Sequence, residues 1–337
     1  MTAARIVLEG ARRVCRAPAL IAGLWLLTIG VTVPPAIALH QSIEDHLGSS
    51  LAADSAADGV NARWMQEFSS SSRPFAPTLR TDVIGFAAIL DNASALADAV
   101  PRPSIVVAAG TVYLFMLTFL SSGVIDRLAR DRPLGAYGFF GACGGLWFRM
   151  LRLSAISAVF YFAVLDSLHP WLFDTVYRGL THDTTVERTA FAVRAVLYVV
   201  LFGVISVCGL VFDYAKVRLI VEDRRSALAA MGAAIRFVAR HPRAAVGAYA
   251  VNVGAFLAVL VAYAAVAPGA GRTGWTMWSA FLVGQLFIAA RLAVKLTFWA
   301  AEAALFQSQL AHAGYVRRPV PRWPDPAALE TGLRAER

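Results

Sequence analysis

The sequence predicts an all-α polytopic integral membrane bundle of six transmembrane helices, and three observations carry that prediction. Six long apolar segments lie at about 17–39, 104–125, 152–173, 190–212, 244–267 and 275–299. Each is close to the roughly 20 residues a helix needs to cross bilayer hydrocarbon. Of 337 residues, 58% are hydrophobic and 16% charged, against roughly 25% charged in soluble domains. Finally, the connecting segments alternate between arginine-rich and acidic. Hydrocarbon offers the backbone no hydrogen-bond partners, so such spans are helices. The short alternating segments of a β-barrel are missing.

Charge sets the orientation. Arg12, Arg13 and Arg16 precede the first segment, Arg127, Arg130 and Arg132 follow the second, Arg224, Arg225, Arg236 and Arg240 follow the fourth, and Arg317 and Arg318 follow the sixth. Lys and Arg are enriched on the cytoplasmic side, so both termini are expected there. The net charge of +9 then reflects topology and anionic headgroups. No basic face interleaved with aromatics suggests nucleic acid. Cys15, Cys143 and Cys208 fall at or within the inner half, so no disulfide is expected.

Residues 1–16 form a cytoplasmic amphipathic segment: Val7, Ala11, Val14 and Cys15 can share one helical face, with Arg5, Arg12 and Arg16 elsewhere. The first span follows at 17–39. Its end, Pro34-Pro35-Ala36-Ile37-Ala38, also resembles a signal-peptide cleavage site. The long amphipathic basic stretch favours an uncleaved span, and both readings stay open.

Residues 40–103 form an external (periplasmic) helical cap. Trp64, Met65 and Phe68 make a short amphipathic piece, and Ser69–Ser72 with Arg73-Pro74 breaks the chain. Beyond it, Val83, Phe86, Leu90, Ala93, Ala97 and Val100 fall on one face of a helix capped by Thr81 or Asp82. A segment this short sits near the lower limit for an independent core, so the membrane domain is expected to support it.

Residues 104–315 hold spans 2–6 with two interfacial helices, near 134–151 and 226–240, and 316–337 form a cytoplasmic tail. In the second interfacial helix Leu228, Met231, Ile235 and Val238 line one side and Arg236 and Arg240 point away. Ser226 can cap its start and Pro242 stops it. The first is glycine-rich and a weaker helix, with Phe139, Phe140, Leu146, Trp147 and Met150 as its apolar side. Such basic helices lie among headgroups, which makes Arg224, Arg225, Arg236 and Arg240 candidate lipid-headgroup contacts; a cytoplasmic cover on the bundle is the alternative. Span, acidic-basic turn, interfacial helix and span thus occur twice, and a third unit begins where Glu302–His312 continues as helix. Repeats of this kind occur in transporters and in scaffolds alike.

Few residues suggest chemistry. Arg291, Lys295 and Glu302 fall within about 40° of one another on span 6, a polar stripe that should face the bundle. Asp213 and Asp126 are its candidate partners. An anion or substrate path is one reading, and snorkelling with an ion pair to Asp213 or Glu302 is the favoured one. Arg194 can pair with Asp183, Glu187 or Asp166; Asn252 and Gln285 suit bonds to neighbouring helices. His40, His46, His169 and His182 gather on the outer side with Asp166, Asp183 and Glu44, yet no HxH, HExxH or CxxC spacing supports a metal. Ser167 beside Asp166 and His169 lacks a nucleophile elbow. No Walker motif, dinucleotide fingerprint or haem motif occurs, so no cofactor, metal or catalytic residue is expected.

The segment Asp213-Tyr214-Ala215-Lys216-Val217-Arg218-Leu219-Ile220-Val221-Glu222-Asp223, followed by an Ala-Leu-rich amphipathic helix, resembles a recurrent bacterial pattern. It is similar to the multi-pass membrane domain associated with glycerophosphodiester phosphodiesterases and its stand-alone relatives. The likeness loosely covers spans 2–6. It implies a helical bundle with interfacial helices in a bacterial inner membrane, and no catalytic residue carries over. The expected function is non-enzymatic: organising lipid or a partner membrane complex, through anionic headgroups, a partner protein or a second copy. A small-solute or lipid permease with an anion site at Arg291 and Lys295 is the alternative.

Overall fold

The computed structural model describes residues 2–48, 50, 54–55, 61–72, 75–80, 83, 85–267 and 274–310. Among them there is no strand, and six helices are long and apolar enough to cross a membrane. In chain order the helices are α1 (Ala3–Cys15), α2 (Pro18–Gly48), α3 (Ala62–Ser71), α4 (Phe86–Ala97), α5 (Ser104–Arg130), α6 (Ala136–Thr181), α7 (Glu187–Val221), α8 (Ala227–Arg240), α9 (Pro242–Val266) and α10 (Trp275–Gln309). A single 3-10 turn, Ala76–Thr78, follows α3. The membrane-length helices are α2, α5, α6, α7, α9 and α10.

Packing is concentrated at the arginine-rich end. Ile125 and Leu128 of α5, Tyr214 and Leu219 of α7, and Leu296 and Phe306 of α10 are buried there, with α1 and α8 joining the same core. Towards the opposite end large apolar side chains face outward: Phe191 is 74% exposed, Val199 72% and Leu286 69%. Water would penalise that surface heavily, whereas lipid tails solvate it without cost. The protein is a multi-pass membrane protein whose helices are tied together at one end.

Four sequence expectations change. The segment 134–151 is no separate interfacial helix. It is the start of α6, which runs unbroken from Ala136 into the span. Its start packs closely on α5 at Gly123, where a methyl would stand 2.6 Å from the Cys143 sulfur and 2.9 Å from the Phe139 carbonyl oxygen. Further along, α6 passes through π turns at Val164–Leu168 and Trp171–Val176, which flank Pro170, a residue with no N–H to give.

In α8 the buried face is Ala227, Ala230, Ala233, Ala234 and Phe237, while Leu228 and Ile235 are exposed. Alanines let α8 lie close on α7, so backbone proximity rather than side-chain size selects the face. The termini of α8 follow expectation: the Ser226 hydroxyl accepts from the Ala229 N–H at 3.3 Å, and Pro242 opens α9. The two acidic-basic turns also match, with Asp131 and Asp223 both in the left-handed region at φ 51° and 50°. Aspartate is among the residues that tolerate that conformation.

In α1 the inward face is Ile6, Gly10, Arg13 and Val14, and Cys15 is exposed. The helix lies across α10 and α9. In α4, Leu90 is exposed and only Ala95 is buried, and Val100 beyond its end is exposed too; the helix starts after Gly85, and Thr81 and Asp82 lie outside the described residues. Elsewhere in the cap, Trp64, Phe68 and Ala76 pack against Leu39, Ile43 and Leu47, because α2 continues past its span to Gly48. The possible third unit ends with α10 at Gln309; His312 and the tail lie outside the described residues.

Glu9 ties together two arginines of the docked α1. Its carboxylate accepts from Arg12 at 2.7 Å and from Arg13 at 3.1 Å, and these bonds hold it down from 4.5 to about 2. A carboxyl held low in the fold contributes stability above its unfolded value, and that contribution is lost as pH falls from about 4.5 to about 2. Hydrogen exchange along α1 should therefore accelerate over that acid window, and Glu9→Gln should remove the pH dependence. Unchanged acid sensitivity in the variant would rule Glu9 out as its source.

Candidate functional site

A cavity of about 1090 Å³ opens between α5, α6, α7, α9 and α10. Helix direction sorts its lining by depth. Lys216, Lys295 and Trp299 lie towards the arginine-rich end, and Thr111, Leu114 and Phe256 towards the opposite end. Leu114, Phe115 and Val253 line the cavity and keep a large part of their surface accessible. The cavity therefore opens sideways, where lipid lies.

The charged groups in the lining are Arg291, Lys295, Lys216 and Asp213. Lys216 Nζ bonds the Asp213 carboxylate at 2.7 Å. Lys216 and Lys295 both stand near the Trp299 ring, with their nitrogens 5.9 Å and 5.3 Å from its centroid, which suits cations poorly reached by water. Arg291 is exposed within the opening, one helical turn before Lys295. Three cations against one carboxylate leave an excess of positive charge in a mostly apolar chamber.

Neutral polar groups complete the wall. Thr118 and Ser154 hydroxyls are 3.3 Å apart. Asn252 is buried, donates to the Ala248 carbonyl on its own helix at 3.1 Å, and leaves its side-chain oxygen without a partner. The expected bond from Asn252 to another helix is thus not made, and the residue instead faces the cavity. Gln285 does bridge helices, accepting from the Trp25 indole at 2.8 Å.

The polar stripe of α10 divides. Arg291 and Lys295 reach the cavity, but Glu302 is buried among packed side chains, and neither of its oxygens has a hydrogen-bond partner. The expected ion pair joining Asp213 or Glu302 to Arg291 or Lys295 does not form. Asp213 belongs to Lys216, and Asp126 to Arg130 on its own helix at 2.7 Å. Side-chain reach explains the difference: residues three or four apart on one helix meet without any demand on bundle geometry.

Arg194 also chooses an unexpected partner, Asp98, at 3.2 Å, and both join the Tyr198 hydroxyl. The Tyr198 hydrogen bond, aided by Arg194, holds the Asp98 carboxyl below its usual range. The outer histidines disperse: His169 lies 2.9 Å from the Ala97 carbonyl, His46 stacks edge-on to Trp64 and Phe68, and His182 pairs with Asp183. Among the described residues no three His, Cys, Asp or Glu side chains come together to hold a metal.

Of the headgroup candidates, Arg224, Arg236 and Arg240 line a second, smaller recess with Arg218 and His241, whereas Arg225 is exposed outside it. Arg13 is the most deeply engaged cation among the described residues and was not singled out by its residue type or spacing to other charges. It is 1% exposed and donates to the Leu128 carbonyl and the Gln307 side chain, each at 3.1 Å. Its spacing from Ile6 and Gly10 was the available signal, since residues 6, 10, 13 and 14 share one helical stripe.

No protein-family model, curated protein or solved structure matches this chain.

Proposed function

We propose that this chain is a non-enzymatic, multi-pass protein of a bacterial inner membrane that binds an anionic amphiphile, a lipid or lipid-like solute, in the cavity between α5, α6, α7, α9 and α10. The observation that carries this reading is the pairing of Arg291 and Lys295 with an apolar wall exposed to the bilayer side. A charged headgroup would sit against the cations, and its tail would run along Leu114, Phe115 and Phe256. The volume, about 1090 Å³, lies at the upper end for small-molecule sites and exceeds what a bare anion needs.

Buried Leu219, Leu296 and Phe306 fill the arginine-rich end beyond the cavity, which favours a site entered from the bilayer over a continuous solute path. Both termini are assigned to the cytoplasm by the arginine pattern.

Native mass spectrometry of gently extracted protein tests this. Wild type should retain an anionic lipid, and Arg291→Gln with Lys295→Gln should lower retention at least about tenfold, the scale of one lost charge-assisted bond. Zwitterionic lipid should be unaffected. Equal anionic-lipid retention by both proteins would overturn the assignment.

A further inference from the structure

We infer that the recess between the end of α7 and the flank of α8 is a second site, built for a phosphoryl group. It has a volume of about 230 Å³ and is lined by Arg218, Arg224, Arg236, Arg240 and His241. A water molecule occupies about 30 Å³ of liquid, so the recess has room for a phosphoryl group and several waters.

The charge balance is unusual for a purely structural cluster. Glu222 pairs with Arg218 at 3.0 Å and with Arg224. Arg236 and Arg240 form no ion pair among the described residues. Four guanidinium groups against one carboxylate leave an excess of three positive charges around one small recess. Like charges held this close repel unless an anion joins them.

Arg218 is the most enclosed of the four arginines. Its residue is 9% exposed, its ring-facing carbon lies 5.0 Å over the Phe306 centroid, and its Nε has no hydrogen-bond partner. A buried donor left unpaired is costly. The recess is lined by four guanidinium groups, and guanidinium forks match phosphate oxygens in pairs.

Solvated arginines on a helix flank are the ordinary reading of Arg236 and Arg240. It does not account for Arg218, which cannot reach solvent freely. The neighbouring face of α8 carries exposed Leu228 and Ile235, the arrangement of a helix that beds its apolar stripe at headgroup depth. That brings the recess level with lipid phosphates, although a soluble phosphate offers the same chemistry. The site shares no residue with the cavity at Arg291 and does not depend on it.

The test uses the full chain in nanodiscs of phosphatidylcholine, with either phosphatidic acid or inorganic phosphate added, read by hydrogen exchange over α8. Either addition should slow exchange in wild type, and Arg236→Gln with Arg240→Gln should weaken the effect about tenfold or more in concentration dependence. Both residues are exposed, so folding should survive; Arg225→Gln is the matched control outside the recess and should behave as wild type. Protection by phosphatidic acid alone assigns a lipid headgroup, and protection by inorganic phosphate assigns a soluble ligand. No protection by either, or protection that persists in the double variant, overturns the site. An Arg291→Gln/Lys295→Gln protein should keep the response, which separates this site from the cavity.

Discussion

Replacing Arg13 with methionine should cost about 3–5 kcal/mol, the range for removing one member of a buried charged network. Arg13 lies under α1 with 1% of its surface exposed. It donates to Leu128 at the end of α5 and to Gln307 at the end of α10, while Gln307 donates to the Ala129 carbonyl at 2.9 Å. The last carbonyls of a helix have no partner within it, and their partial negative charge favours a cation. One side chain thus serves three helices, and methionine would fill part of the space while leaving those acceptors buried and empty. Arg12 is the comparison: it is exposed and pairs with Glu9 and Asp131, so Arg12→Met should cost far less than Arg13→Met. Thermal unfolding in one detergent, with protease cleavage near α1, reads both. Equal midpoints for the two variants would remove Arg13 from its central place.

Gly10→Val should be of similar severity, about 3 kcal/mol at the upper end of overpacking costs. A side-chain carbon at Gly10 would stand 2.7 Å from the Thr297 carbonyl oxygen and 2.8 Å from the Ala301 nitrogen. Both are backbone atoms of α10 and cannot rotate aside, so α1 would have to lift off, carrying Ile6 and Val14 from the core. Gly23 and Gly30 of α2 meet nothing within 4 Å; alanine there should be neutral or stabilise by about 0.5–1 kcal/mol through helix propensity alone. Unfolding midpoints that move together for Gly10→Val and Gly23→Ala would refute the close approach of α1 to α10.

Much of the architecture was legible along the chain. Unbroken apolar length marked the six spans, Ser226 and Pro242 marked the ends of α8, and the paired acidic-basic turns at Asp131 and Asp223 recur with the same backbone conformation. These features depend on neighbours within a few residues, so local chemistry suffices to place them. The polar stripe of α10 was visible too, as was the basic character of α8.

What the chain alone left open is which side of each helix meets another helix. In water an apolar stripe names the buried face, but in a bilayer lipid accepts the same residues, so Leu228 and Ile235 face out while alanines face in. For the same reason Arg291 and Lys295 separated from Glu302, and Arg13 proved more deeply engaged than the arginines beside it. Hydrophobic length and charge asymmetry are properties of sequence and dictate how often the chain crosses. The chamber at Arg291 and the arginine recess at Arg218 exist only once separate helices are brought side by side, because their walls come from residues far apart in the chain whose distances only close packing sets.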